Sequence, residues 1–197
     1  GAGHRLTVHC RELDNGGGVA LGLELRGQDG TLHFSAIADL DARPPPAAQA
    51  GAPLLGLGDW QGEIYDGSVL FHGAGFRVIR SVEGVSDQGI VGRVAGTREA
   101  GWDGRGWLTD PALLDGGLQL ALLWHKHMMG GPSLPTSLGS YRVYPIARQH
   151  GPVRCVVQGR VLDRSAALAN IVFANDDGQV VAELSDVETH LIPGGVQ

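Results

Sequence analysis

The chain has 197 residues, of which 43% are hydrophobic, and its formal net charge at pH 7 is −6. This length suits one domain or slightly more, and the hydrophobic share is sufficient to form a core. The negative charge argues against nucleic acid or an anionic membrane as the main partner. No stretch approaches the length of a transmembrane helix. We therefore expect neither a nucleic acid nor a membrane as partner.

The glycine and cysteine contents narrow the class of protein further. The 32 glycines are about twice the average share, which favours strands and turns over a helical bundle. Cys10 and Cys155 are far apart and lack the spacing of a metal site, so we expect reduced thiols, with a single disulfide as the alternative. Residues 1–10 lack the apolar core of a signal peptide. These features predict a cytoplasmic protein, and the missing initiator methionine suggests a piece of a longer chain.

The first 40 residues show the alternation of apolar and polar residues that is typical of an antiparallel meander. Three strands are predicted, at 5–13, 19–26 and 31–40, with turns at 15–18 and 28–30. Three strands without a helix of their own need another surface to pack on. A Pro/Ala/Gly-rich segment follows at 42–62, with three successive prolines at 44–46, and we interpret it as a linker.

From residue 63 the pattern predicts a hairpin, one helix and a group of long strands. The strands are expected at 77–82, 89–94, 138–144, 153–162, 167–174 and 179–191, with a hairpin turn at 175–178. One buried helix between a hairpin and four further strands suggests an antiparallel sheet wrapped around a central helix. That arrangement is the hot-dog fold, which belongs to the α+β class.

The predicted helix covers residues 109–124, with the sequence TDPALLDGGLQLALLW. Thr109 or Asp110 can cap its start, and Pro111 suits the first helical position because its missing N–H costs nothing there. The remaining positions are apolar almost all the way round, which is typical of a buried helix. The sequence HMMGGP at 127–132 then ends the helix.

Two polar residues interrupt this apolar helix, Asp115 and Gln119. They are four positions apart, so they lie on one face and can form a hydrogen bond. Burying an isolated carboxylate is costly, so we expect Asp115 to be paired, protonated or in a cavity. Asp115 is therefore the first candidate for a functional residue.

Three segments resemble motifs of the dehydratase domains of polyketide synthases. DPALLDGGLQ (110–119) resembles their HPALLDAALQ helix, with Asp110 in place of the usual His. LFHGAGF (70–76) resembles their YGPxF or HGPxF element, with Ala74 in place of Pro, and LPTSLGS (134–140) resembles their LPFSW-type strand. The order and spacing of the motifs agree across residues 63–192. The combination is especially similar to dehydratase-like domains of iterative and polyunsaturated-fatty-acid-type synthases.

The resemblance implies a double hot-dog fold, with two such sheets in one chain. Residues 63–197 would be the C-terminal hot dog, 42–62 the linker, and 1–41 the last strands of an incomplete N-terminal hot dog. It also implies an acyl carrier protein with a phosphopantetheine-linked β-hydroxyacyl chain, neighbouring synthase domains and a homodimer. No cofactor and no metal are expected.

The resemblance also implies a set of catalytic and substrate-binding residues. In this family a His from an HxxxGxxxxP motif removes the α-proton, and the Asp of the C-terminal helix acts at the β-hydroxyl, since a half-buried carboxyl can donate a proton. Asp115 corresponds to that acid, Gln119 to the residue that orients it, and His72 to a group that bonds the substrate or the acid. The expected substrate contacts are Gly73, Phe76, Pro111, Leu114, Leu134 and Pro135.

The HxxxGxxxxP motif does not occur in these 197 residues. The first hypothesis is therefore a dehydratase whose histidine base lies outside this chain, which leaves the isolated chain inactive. The alternative is a non-catalytic module, similar to a pseudo-dehydratase or a product-template domain, that binds acyl chains or supports dimerisation. Asp115 could also be a helix carboxylate satisfied by its neighbours, and His72 a loop residue that braces a turn. His125 and His127 are two apart and do not share a helix face, so no metal site is expected there.

Overall fold

The computed structural model describes residues 5–14, 18–40, 53–102, 107–144 and 151–193. The chain divides into two compact units, Gly1–Pro45 and Pro46–Gln197. Two predicted segments lie at least partly outside the described residues. They are residues 15–17 of the predicted turn at 15–18 and residues 42–52 of the predicted linker. In the described part of that linker, Gly58 pairs with Val85 through two backbone hydrogen bonds of 2.8 and 2.9 Å.

The first unit contains the predicted antiparallel meander, in the order β1-β2-β3. Its strands are β1 (Leu6–Asp14), β2 (Val19–Gly27) and β3 (Leu32–Asp39). Because side chains alternate between the two faces of a sheet, the strand register separates polar from apolar residues. One face is mainly apolar around Val8, Leu25 and Phe34, which are opposite one another, and carries the acidic residues Glu12 and Asp14 towards the end of β1. The other face is mainly polar there, with His9, Glu24 and Ser35 aligned.

The second unit is built on a seven-stranded antiparallel sheet in the order β4-β5-β8-β9-β10-β6, with β7 also paired to β10. The strands are β4 (Ile79–Ser86), β5 (Gly89–Val94), β6 (Ser133–Ser137), β7 (Ser140–Val143), β8 (Val153–Val161), β9 (Ala166–Ala174) and β10 (Val180–Leu191). The sequence predicted one strand at 138–144. The strand β7 lies within this range, and the chain forms a further short strand, β6, directly before it. They pair with successive parts of β10, and Gly139 between them donates its N–H to the carbonyl of Ser185 at 3.0 Å.

The helix α1 (Pro111–Met129) begins where the sequence predicts and continues five residues beyond the predicted end. The Asp110 side chain accepts the N–H of Leu113 at 3.0 Å and thereby caps the start. Gly130 ends the helix in the left-handed conformation (φ 79°), and its N–H donates to the carbonyl of Lys126. The extra turn forms because no residue between Trp124 and Gly130 breaks a helix. Lys126 also places a positive charge in the last turn, where the helix dipole favours it.

Glycines allow α1 to lie directly against the sheet. A Cβ atom at Gly116 would overlap Val94, and one at Gly117 would overlap Phe173. Trp124, which is 1% exposed, lies over Gly159 of β8 in the same way. Its indole N–H donates to the carbonyl of Ser86 at 3.0 Å, so the only polar atom of this buried ring is satisfied. The sheet therefore encloses a central buried helix, as the sequence predicts.

Among the residues that the structure describes, no helix combines the length and hydropathy needed to cross a membrane.

Substituting Gly116 by Ala tests the close approach of helix and sheet. The added methyl group overlaps Val94 and Val78, and such overpacking costs about 1–3 kcal/mol. Alanine also favours a helix by about 1 kcal/mol. The contact with Val94 lies far inside van der Waals distance, so the cost belongs to the upper part of that range. We therefore expect the free energy of unfolding of Gly116→Ala to fall by a net of about 1–2 kcal/mol, as measured by urea denaturation. Gly75→Ala is the control, since no atom lies within 4 Å of its added Cβ. A Gly116→Ala variant as stable as wild type would show that the helix is not held at this distance.

Candidate active site

Asp115 and Gln119 lie on the same face of α1 but differ in exposure. The Asp115 side chain is 32% exposed, whereas Gln119 is 1% exposed. The Gln119 Nε2 donates to Asp115 Oδ2 at 2.6 Å, which is the hydrogen bond expected for residues four apart. The pair therefore consists of a carboxylate that reaches solvent and a buried amide that holds it.

The Gln119 amide is bonded on both of its ends. Its Nε2 also donates to the backbone carbonyl of Phe76 at 2.8 Å, and its Oε1 accepts the hydroxyl hydrogen of Tyr65 at 2.7 Å. A carbonyl oxygen can only accept, so the NH₂ group must face Phe76 and Asp115. The orientation of the amide, and the hydrogen bond that Asp115 receives, are determined by these neighbours.

His72 lies in the loop before β4 and faces Asp115. Its Nε2 is 4.0 Å from Asp115 Oδ2, which is longer than a direct hydrogen bond. Its ring stacks on Phe71 with 5.9 Å between ring centroids. The Nδ1 atom is buried and has no hydrogen-bond partner among the described residues. Both His72 and Asp115 therefore retain atoms that can bond a third molecule.

The glycine-rich loop around His72 is held at its C-terminal end. A 3₁₀ turn spans Ala74–Phe76, and Trp102 donates its indole N–H to the carbonyl of Gly75 at 2.7 Å. The Phe76 and Trp102 rings meet edge to face, with centroids 5.0 Å apart. In contrast, no atom of the described residues lies within 4 Å of the position a Cβ would take at Gly73. The loop backbone is thus fixed, while its surface at Gly73 is open.

The predicted substrate-binding residues fall into two groups. Phe76 is joined to the Asp115 cluster through its carbonyl, and Pro111 and Leu114 belong to the first turn of α1, directly before Asp115. Leu134 and Pro135 lie on β6, opposite His190 and Thr189 of β10. None of the hydrogen bonds among the described residues connects the second group to Asp115.

Sequence reasoning missed Tyr65, which lies 54 positions before Gln119. Its hydroxyl accepts the backbone N–H of Ile79 at 2.8 Å and donates to Gln119. Burial raises the pKa of Tyr65, and the nearby charge of Asp115 adds to this effect, so the hydroxyl remains a donor at neutral pH. No short-range pattern could have identified the residue, because its partners come from β4 and α1.

A second buried polar group lies further along the helix, about 15 Å from Asp115 at 1.5 Å per residue. His125 is fully buried, and its Nδ1 lies 2.6 Å from Thr189 Oγ1. Its Nε2 is buried and has no partner among the described residues. Burial lowers the pKa of His125 because the charged ring would lose its hydration. Within the described residues, no three His, Cys, Asp or Glu side chains are grouped to hold a metal ion.

Comparison with known families shows a match over most of the chain. The family model described as "Polyketide synthase dehydratase N-terminal domain" matches residues 41–197. No curated protein sequence matches the chain.

Solved structures of dehydratase domains resemble this chain at low sequence identity. The dehydratase domain of RzxB from Pseudomonas fluorescens has 19% identity and a TM-score of 0.66, with 94% of this chain and 68% of that chain covered. A dehydratase domain of a mycocerosic acid synthase-like polyketide synthase has 21% identity and a TM-score of 0.69, with coverages of 93% and 67%. The dehydratase domain from the CurF module of curacin polyketide synthase has 17% identity and a TM-score of 0.68, with coverages of 96% and 69%. These likenesses show the fold and confirm the predicted hot-dog arrangement.

Acid is expected to destabilise the folded chain through His125. Because burial lowers the pKa of His125 in the folded state, the unfolded state takes up a proton first. Neutral His125 therefore contributes fully to the free energy of unfolding above the unfolded pKa of about 6.5. Below that pH the free energy of unfolding falls as the pH drops towards the folded pKa, by up to about 1.4 kcal/mol per pH unit. Urea denaturation from about pH 7 to pH 5 should therefore give a steeper loss for wild type than for His125→Gln. His127→Gln, at an exposed position, should keep the wild-type slope. Equal slopes for wild type and His125→Gln would contradict this assignment.

Proposed function

The chain belongs to the polyketide synthase dehydratase family, and we propose that it is part of an enzyme that removes water from a β-hydroxyacyl chain on acyl carrier protein. The observation that carries this proposal is the pairing of a partly exposed carboxyl group with a fully bonded amide on a buried helix. Asp115 receives the N–H of Gln119 and faces His72 across 4.0 Å. Such a group has the access to solvent and the fixed direction that an acid catalyst needs.

The elimination needs a proton acceptor at the α-carbon and a proton donor at the leaving hydroxyl. We assign Asp115 as the donor: as the α C–H and β C–O bonds break, its proton joins the hydroxyl and water leaves. Gln119 orients Asp115, and His72 bonds the substrate or the acid. The base is the histidine of the N-terminal hot dog, outside this chain. No cofactor takes part, because the elimination involves no net oxidation or reduction.

One departure from the family motif has a local structural explanation. Asp110 replaces the usual His, and its carboxylate both caps α1 and accepts the backbone N–H of Thr97 at 2.9 Å. The substitution therefore keeps the start of the helix attached to the preceding loop. The absent base motif and Ala74 support the alternative, a non-catalytic module that binds acyl chains. This alternative makes no use of an acidic proton at Asp115.

Replacing Asp115 by Asn in the intact synthase distinguishes the two functions. The amide keeps the size of the side chain and can still accept from Gln119, but it cannot supply the proton. General acid catalysis contributes about 10²–10⁴-fold, so we expect kcat for a carrier-bound β-hydroxyacyl substrate to fall by that factor. Mass spectrometry of the carrier measures the loss of water. Asp87→Asn, in the exposed turn between β4 and β5, is the control and should keep wild-type turnover. Unchanged turnover in Asp115→Asn would favour the non-catalytic module.

We also propose that residues 1–41 are the last strands of an N-terminal hot dog, joined by the linker 42–62 to the C-terminal hot dog at 63–197. The exposed apolar face of the first unit supports this. Phe34 is 73% exposed and Val8 is 65% exposed, although both lie among apolar neighbours on one side of the sheet. In the intact protein the rest of that hot dog would cover the face, with neighbouring synthase domains adjacent. The enzyme would act as a homodimer in the cytoplasm, where its free Cys10 and Cys155 thiols remain reduced.

The apolar face predicts self-association of the 197-residue chain. Phe34 and Ile37 are both on β3 and are equally exposed, at 73% and 72%, but the register places them on opposite faces. We expect Phe34→Asp to weaken association by at least about tenfold, because it places a charge in the apolar face. Ile37→Asp on the mainly polar face is the matched control and should associate like wild type. Sedimentation velocity over a range of concentrations measures the effect. Equal behaviour of the two variants would show that a different surface is used.

A further inference from the structure

Tyr65 links the backbone of strand β4 to the side chain that holds Asp115. The Tyr65 hydroxyl oxygen accepts the N–H of Ile79 at 2.8 Å, and its hydrogen is donated to Gln119 Oε1 at 2.7 Å. Gln119 then donates from Nε2 to Asp115 Oδ2 at 2.6 Å. The Ile79 N–H of β4, the Tyr65 hydroxyl and two side chains of α1 therefore form one continuous hydrogen-bonded chain.

The direction of every bond in this chain follows from its first member. A backbone N–H can only donate, so the Tyr65 oxygen is the acceptor and its single hydrogen must point elsewhere. That hydrogen requires an acceptor, which draws the Oε1 of Gln119 towards Tyr65. The NH₂ group of Gln119 is left to face Asp115. The sheet backbone thus determines which atom of the amide meets the acid.

The Tyr65 ring is also held in place from a second side. The Arg77 guanidinium lies over the ring, 5.6 Å from its centroid, and Arg77 Nε donates to the carbonyl of His72 at 3.3 Å. Tyr65 touches neither Asp115 nor His72 by a direct hydrogen bond. The hydrogen-bonded path from Tyr65 to the acid therefore runs through Gln119.

We propose that Tyr65 is a positioning residue for the dehydration, acting through Gln119 on Asp115. With the amide N–H on Oδ2, a protonated Asp115 carries its hydrogen on Oδ1, the oxygen free to meet the leaving hydroxyl. Loss of the Tyr65 hydroxyl leaves the Oε1 of Gln119 without its donor, so the amide is held by the Phe76 carbonyl alone and its hydrogen bond to Asp115 is less firmly oriented. This inference rests on the proposed function, because it concerns the proton that Asp115 donates.

A double-mutant cycle in the intact synthase tests this role. Tyr65→Phe keeps the ring, and we expect kcat for a carrier-bound β-hydroxyacyl substrate to fall about tenfold while KM changes less than about twofold. In a Gln119→Ala background, the same substitution should change kcat less than about twofold, because the mediator is already gone. Tyr144→Phe is the matched control, because Tyr144 is also buried and its hydroxyl lies near Glu183. It should keep the wild-type kcat.

A second variant covers the case in which Tyr65→Phe does not fold. Gln119→Glu can still accept from Tyr65 but no longer donates an N–H to Asp115, so we expect a loss of kcat at least as large as for Tyr65→Phe. Wild-type kcat in Gln119→Glu would overturn the positioning role.

The outcomes separate this inference from the proposed function. Wild-type kcat in Tyr65→Phe, with Asp115→Asn inactive, overturns the role of Tyr65 alone. Equal losses from Tyr65→Phe in both backgrounds would mean that the hydroxyl acts through general stability, which also overturns it. Wild-type turnover in Asp115→Asn overturns the proposed function, and the role of Tyr65 with it.

Discussion

The close contact between helix α1 and the sheet is the constraint on which the rest of the second unit depends. Gly116 and Gly117 allow the helix to meet Val94 and Phe173 without side chains between them, and Gly159 does the same beneath Trp124. At this distance almost no side of the helix is exposed to solvent, and most of its residues are accordingly apolar. Polar side chains are tolerated in it only where a hydrogen bond from the surrounding strands or loops satisfies them.

Gln119 and His125 show two outcomes of that requirement. Gln119 is nearly fully buried, and the carbonyl of Phe76, the hydroxyl of Tyr65 and Asp115 use its polar atoms. His125 is equally buried but has one bonded nitrogen and one nitrogen without a partner among the described residues. The first arrangement extends to the surface and ends at the partly exposed carboxylate of Asp115. The second arrangement is buried and does not reach the surface. We therefore assign the proposed catalysis to the start of the helix and the acid sensitivity to its later turns.

The loop around His72 depends on the same packing. Its backbone is attached to α1 through the bond from Gln119 to the Phe76 carbonyl and to the following segment through Trp102. These contacts, together with the hydrogen bond from Arg77 to the His72 carbonyl, set His72 against Asp115. The substitution of Asp110 for the family's His fits this picture, because a carboxylate at the helix start also secures the Thr97 backbone. The chain therefore differs from the family motif at this position in residue type, while its helix start is capped by Asp110.

The sequence by itself determined the elements and their order, because turn residues, strand alternation and one continuous apolar stretch are local properties of the chain. It also identified Asp115 and Gln119 as a bonded pair, since a spacing of four on a helix is enough to bring them together. The helix is longer than predicted because it continues to Gly130. The strand β6, which lies before the predicted strand at 138–144, depends on pairing with β10. Only the tertiary structure revealed Tyr65, Trp102 and the Thr189 partner of His125. Those contacts join residues separated by 27 to 64 positions. Contacts over such separations produce no periodic pattern in the sequence.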